Sequence, residues 1–463
     1  MTAILILKVR TIELFKVSAP LMLSFLSILT MTFVDRLFLA NYSIDALSAM
    51  SSAGTLAFSI TFGVQNLTLI ASIFVAQLNG AKKYKELGSP VWQMFWFALA
   101  TYFIFIPLAF TAKYYLFLGS PIATQQNLVF KCIMLISPLF AMVGGLQSFY
   151  NGQGKTLVIT YLSLIGNIVN LMLAPFLIFG FKNIIPSLGI IGANIATATS
   201  LSIQIIILMF LFLSARNRKL YATHKWHFNL PMLKACLKIG SPEALAFGVE
   251  ICCWGIFYNM MATISQMHIM VAAIAQSIIL LLFFFVLSIG QGVAIIAGNF
   301  IGANRKQAIH DIFYAGLVLI VIYTLCILFL FHCFSEFIVN LFFYKQINLG
   351  NINNVFPLEN LTNIKPVIEQ ILPLLAIYLG FEAARFMING LLKAAGDTVF
   401  LLIIGIINTG MFLIVPTYIM MIMYKMPVQS FIKIWLFFAV MSSIISGVRF
   451  YCGNWKKMVI MKQ

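Results

Sequence analysis

The chain has 463 residues, of which 62% are hydrophobic and 9% charged, with a mean hydropathy of +1.01. A soluble domain is roughly 25% charged, so this composition excludes a soluble enzyme and describes a polytopic, all-α membrane protein. The net charge of +17 invites a nucleic-acid partner, but the basic residues flank apolar segments, which is a membrane-topology pattern and leaves no role for nucleic acid.

The chain opens MTAILILKVRTIELFKV, without a small-residue cleavage site after a short apolar core, so the reading is a mature end and not a signal peptide. Stretches of about 20 apolar residues then predict twelve helical spans, near 12–39, 48–76, 91–118, 125–151, 156–181, 188–215, 235–262, 269–300, 310–343, 367–393, 399–424 and 428–455. An even number puts both termini on one side. With that assignment 20 Lys and Arg fall on the terminal side and 8 on the other, with Arg385 inside a span. The positive-inside rule makes the terminal side cytoplasmic, in an inner (plasma) membrane.

The expected organisation is a six-helix lobe over 1–215, a basic cytoplasmic linker over 216–234 and a second six-helix lobe over 235–463. The linker, ARNRKLYATHKWHFNLPMLKACLK with its flanks, reads either as a plain connection or as a contact for anionic membrane lipids. The connection YKQINLGNINNVFPLENLTNIKPVIEQ is polar and outside, and is expected to cover the outer mouth or to be mobile. Seven scattered cysteines make no CxxC spacing, so a disulfide framework is not expected.

The two halves repeat each other. Pro20 in KVSAPLM and Pro242 in KIGSPEA lie 222 residues apart, as do Gln77 in QLNGA and Asn299 in NFIGA. Gly154-Lys155-Thr156 and Gly396-Asp397-Thr398 follow at an offset of 242, the additional twenty residues being the outer loop. Six spans per half give both halves the same orientation, a parallel repeat about an axis along the membrane normal. Transporters use such repeats to hold substrate between halves that rock. Pro20 and Pro242, inside helices, are candidate kinks because proline removes a hydrogen-bond donor.

Three of the 12 acidic residues sit deep in apolar sequence: Asp35 in LSILTMTFVDRLFLA, Glu250 in SPEALAFGVEICCWGIF and Glu382 in ILPLLAIYLGFEAARFMING. A charge at the bilayer centre costs at least ~2.5–3.5 kcal/mol, so retained carboxylates there point to ion binding or proton relay. Tyr378 and Glu382, four apart, share one helix face. With Glu250 they would offer hard oxygen ligands suited to Na+, and two close carboxylates would also take up a proton. Arg385, one turn from Glu382, could instead form an i,i+3 ion pair with it. Glu243, beside Pro242, reads as an acid at a helix start, stabilised by the dipole. No HExxH, GxSxG, P-loop or nucleotide-binding segment occurs, which points to no enzyme and no cofactor and leaves an ion gradient as the energy source.

Taken in order, FVDRLFLANYSIDALSAM, VAQLNGAKKYKEL, GNIVNLMLAPFLIFG, LGIIGANIATATS, KIGSPEALAFGVE, FIGANRKQA and MINGLLKAAGDT resemble the multidrug and toxic compound extrusion (MATE) family, NorM-like branch, across nearly the whole chain. The resemblance implies two six-helix lobes forming a V, with inward Na+ or H+ flow driving export of organic cations. It implies that Asp35 is the coupling aspartate of the first helix, with Asn170 and Thr197 as its polar neighbours. One branch has a second aspartate where this chain has Ala174. Glu250, Tyr378 and Glu382 match the ion-site positions of the second lobe, with glutamate at 382 where aspartate is usual. The expectation is therefore a monomeric Na+- or H+-coupled antiporter of organic cations that works by alternating access. A lipid or lipid-linked-sugar flippase remains the alternative, with Arg36 and Arg385 as its phosphate-binding candidates. A membrane-embedded transferase would need a nucleophile beside an arginine cluster, and the sequence has none.

Overall fold

The structure is a computed structural model that describes residues 2–181, 186–348 and 358–453. Twelve of its helices are long and apolar enough to span a membrane: α1 (Ile4–Tyr42), α2 (Ile44–Gly80), α3 (Tyr84–Tyr114), α4 (Ala123–Gly152), α5 (Thr156–Phe179), α6 (Ile190–Phe212), α7 (Leu230–Ile264), α8 (Gln266–Gly302), α9 (Ala308–Val339), α10 (Ile364–Ala395), α11 (Thr398–Met423) and α12 (Ser430–Cys452). No strand forms among the described residues. Each expected span has its helix. The outer connection after α9 falls partly on 349–357, outside the described residues.

Local chemistry sets the ends. Ser43 and Ser265 each stand in extended backbone as the single residue between two long helices, and each hydroxyl accepts from a backbone N–H three residues on. A serine cap satisfies one of the orphan donors of a helix start, and no longer loop is needed. These two serines are 222 residues apart, and so are the left-handed residues Lys82 (φ 59) and Asn304 (φ 56) after α2 and α8. The left-handed glycines Gly154 and Gly396 repeat the offset of 242. The duplication thus extends to individual backbone torsions.

Helix neighbours repeat too. In the first half α1 packs on α5, α2 on α4, α3 on α4 and α4 on α6; in the second, α7 on α11, α8 on α10, α9 on α10 and α10 on α12. Between halves, α1 meets α8 and α9, while α7 meets α2 and α3, and α2 meets α8 on the axis. This is the contact set of two equivalent bundles related by a twofold.

The inter-half packing uses the helix ends nearest the basic loops. Leu14, Val17 and Leu21 of α1 join the core of the second half, and Cys236 of α7 is buried with Ile70, Phe74 and Met94. At the axis Asn79 donates to Asn299 Oδ1 (2.7 Å), Asn299 donates to the Gly152 carbonyl (2.9 Å), and Gln77 donates to the Ala394 carbonyl (2.8 Å). A Cβ on Gly80 would strike the Asn299 carbonyl, and one on Gly302 the Gln77 carbonyl. Only glycine permits this approach of two backbones. Toward the other end α1 and α2 present Phe33, Leu37, Ile44 and Leu56 as exposed side chains.

One expectation fails here. α7 begins at Leu230, capped by Asn229 with Pro231 in its first turn, so Glu243 lies more than three turns inside the helix. It is no helix-start acid. Its partner is Lys393 of α10, at 2.5 Å.

Candidate functional site

The three intramembrane carboxylates occupy two separate places. In the first half, Asp35 on α1 is buried, with only 4% of its surface exposed. Its Oδ2 accepts from the Thr197 hydroxyl of α6 at 3.3 Å, and that hydroxyl oxygen accepts from the Asn170 amide of α5 at 3.2 Å. The other carboxylate oxygen, Oδ1, is buried with no hydrogen-bond partner. The structure thus brings Asp35, Thr197 and Asn170 together. Ala174, one turn beyond Asn170, is fully buried in the adjoining apolar cluster, so no second acid stands on that turn.

Sequence reading missed the rest of the face that aims Asp35. Thr156 donates to the Val17 carbonyl (3.0 Å), Thr160 to the Pro20 carbonyl (2.6 Å), and Asn167 to the Ser27 carbonyl and hydroxyl (both 2.5 Å). Ser24 adds bonds to the Pro20 carbonyl and to Thr160. The signal was available: Thr156, Thr160, Ser163, Asn167 and Asn170 recur at steps of three and four, which places them on one face of α5. That face is a polar ladder that fixes α1 against α5 in depth and rotation. Pro20 lies within it, its carbonyl held by two hydroxyls.

In the second half Arg385 joins the remaining two carboxylates. Its Nη2 lies 2.7 Å from Glu382 Oε2 and 2.8 Å from Glu250 Oε1, and its Nε lies 3.1 Å from Glu382 Oε1. Nη1 approaches Glu250 Oε2 at 3.4 Å. All four carboxylate oxygens therefore face one guanidinium. Phe386 and Phe438 stack on it, with centroids 4.7 and 5.4 Å away. The anticipated i,i+3 pair with Glu382 forms, and Glu250, 135 residues away in sequence, completes a triad that ties α7 to α10. Side-chain exposure is 1% for Glu382, 9% for Arg385 and 26% for Glu250, so the cluster opens on the Glu250 side. Tyr378 is buried one turn before Glu382, its ring 5.8 Å from Trp435. No group of three His, Cys, Asp or Glu suited to a metal occurs among the described residues. All seven cysteines are free.

A fixed guanidinium cannot be deprotonated in a protein and offers five donors in a planar fork. The arrangement is a satisfied buried charge cluster with net charge −1. The Asp35 site differs in kind: a buried carboxylate with one long hydrogen bond and one orphaned oxygen has unmet demand for a proton or a cation.

A model of the MatE family matches residues 20–176 and 242–419, one segment in each half. Multidrug resistance protein NorM of Vibrio vulnificus strain YJ016 is 25% identical over 316 residues, 66% of this chain and 68% of that protein. Among solved structures, a mutant of the Vibrio cholerae MATE transporter VcmN superposes with a TM-score of 0.84 at 17% identity, over 99% of both chains. An outward-facing multidrug resistance MATE family transporter superposes with a TM-score of 0.82 at 15% identity, over 97% of both. Matched along both halves and sharing the twelve-helix fold throughout, this chain belongs to the MatE family of membrane transporters.

Proposed function

We propose that the protein is a cation-coupled antiporter that exports organic cations or drugs, with Asp35 as the group that exchanges the coupling ion. The orphaned, buried Oδ1 of Asp35 carries this reading. Its weak bonding leaves the carboxylate free to gain and lose a small cation within a preformed polar pocket. The NorM relatives, named for multidrug resistance, support drug export. The excess of Lys and Arg at the end where α2 and α8 close supports a cytoplasmic assignment for that end and for both termini, in an inner membrane. The contacts between Gln77, Asn79, Gly80 and their counterparts then seal the cytoplasmic side, and the two bundles, 1–215 and 235–463, would rock about this seam as a monomer. Metabolic energy would come from the ion: each decade of gradient is worth ~1.36 kcal/mol.

Membrane lipids are further partners in this reading. No acidic residue occurs between Glu86 and Glu243, and the linker carries Arg216, Arg218, Lys219, Lys225 and Lys234 beside the exposed Trp226 and Phe228. Burial, and after it the nearby Arg216, lowers the pKa of Lys155. Such a face suits anionic headgroups. A flippase for lipid-linked sugars is less well supported, because Arg385, one of its two candidate phosphate ligands, is saturated by carboxylates.

Ethidium uptake into everted membrane vesicles, with Na+ and pH gradients imposed separately, tests the proposal. A gradient of one of the two ions should drive uptake above the level of vesicles lacking the protein. Uptake that follows neither gradient contradicts it.

A further inference from the structure

The family resemblance implies a Na+ site at Glu250, Tyr378 and Glu382, and this chain's residues do not fit one. Sodium binds through unshared oxygen lone pairs from several ligands closing around it. Here each oxygen of Glu250 and Glu382 already faces a guanidinium nitrogen, at 2.7 to 3.4 Å. A second cation would enter beside a fixed positive charge that cannot leave by losing a proton. Arg385 cannot swing aside cheaply, since Phe386 and Phe438 hold its plane and its side chain is 9% exposed.

We propose that Arg385 is the tethered counter-ion of the second half, standing permanently where a coupling Na+ would bind, so that Glu250 and Glu382 take no part in ion exchange. The role of the triad is to hold α7 against α10 while cations come and go elsewhere. This deepens the antiporter reading, because it leaves Asp35 as the exchanging carboxylate among the three. A single acid beside one hydroxyl, with Ala174 in place of a second acid, lacks the several oxygens a Na+ shell needs and suits a proton, which makes transport indifferent to Na+. Arg385 is a specificity-determining residue: it decides which ion the protein does not use. Removing it should uncover the site, since two carboxylates and the neighbouring Tyr378 would then face each other without a cation.

The test needs no transport. Purified protein in nanodiscs is melted in NaCl and in choline chloride at equal ionic strength, as wild type, Arg385→Gln and Arg385→Lys. The expected result is the same melting temperature in both salts for wild type and Arg385→Lys, and a saturable, Na+-specific rise for Arg385→Gln, as mass action requires of a ligand that binds only the folded state. If Arg385→Gln does not fold, Glu250→Gln/Arg385→Gln keeps the net charge of the wild-type cluster and is melted in its place, with the same rise expected. A Na+-specific rise in wild type overturns the proposal, and so does indifference to Na+ in the folded variant. Because binding is read directly, absence of ethidium transport in wild type would refute the antiporter reading and leave this result standing.

Discussion

At the residue scale, the two carboxylate sites differ by what each oxygen touches. The four oxygens of Glu250 and Glu382 are engaged, and one of the two of Asp35 is not. Removing one partner from a buried ion pair strands the other at a cost of about 3–5 kcal/mol. Arg385→Ala should therefore lower stability strongly, because it strands two acids. Arg385→Ala/Glu382→Ala should recover part of the loss, but not all, since Glu250 still lacks its partner. A thermal double-mutant cycle measures the coupling; additive effects within error would show that the triad holds nothing. Asp35 was legible in the sequence as an acid in apolar surroundings. Glu382 and Arg385 were legible as a pair because helical spacing puts i and i+3 together. The resemblance placed Glu250 in one site with Tyr378 and Glu382; that both its oxygens turn to Arg385 was not legible, because it depends on how α7 packs beside α10 and no local pattern encodes that.

At the scale of elements, the repeated turns show how local rules and packing divide the work. All twelve helices were legible because each must bury its own backbone hydrogen bonds across the apolar layer. Their ends were less so: α7 starts at Leu230, five residues before the expected start at 235, because Asn229 and Pro231 make a good helix start among polar neighbours. Glu243 stands more than two turns inside even the expected start, and the early start carries it further from the terminus, where Lys393 of α10 is its partner. The QLNGA and NFIGA segments were legible as a repeat, while their contact with each other at the axis was not. Gly302→Val should wedge the backbone of Gln77 and weaken this closure by about 1–3 kcal/mol, the usual cost of overpacking. The check is a cysteine at Ala76, buried under Gly298, in a background with the native cysteines replaced. A membrane-impermeant maleimide should label it faster when Gly302→Val is present. Equal protection would mean that the backbone yields locally and the two halves stay shut.

At the scale of the molecule, the duplicated neighbour scheme gives the two halves one architecture and different charge chemistry. In the first half α1 is fixed to α5 by a ladder of hydroxyls and amides that ends at Asp35 and Thr197; in the second half α7 is fixed to α10 by the Arg385 triad. In the proposed reading the half whose carboxylates are paired moves as a rigid body, the half with the unpaired buried carboxylate changes state when that group changes charge, and coupling follows from occupancy of Asp35 alone. The central claim is that Asp35 exchanges the ion when drug binds. Drug-stimulated proton release from the solubilised, unbuffered protein measures this directly. Wild type should release protons on adding ethidium, and Asp35→Asn, folded to the same degree, should release none; release from Asp35→Asn equal to that of wild type would contradict the account.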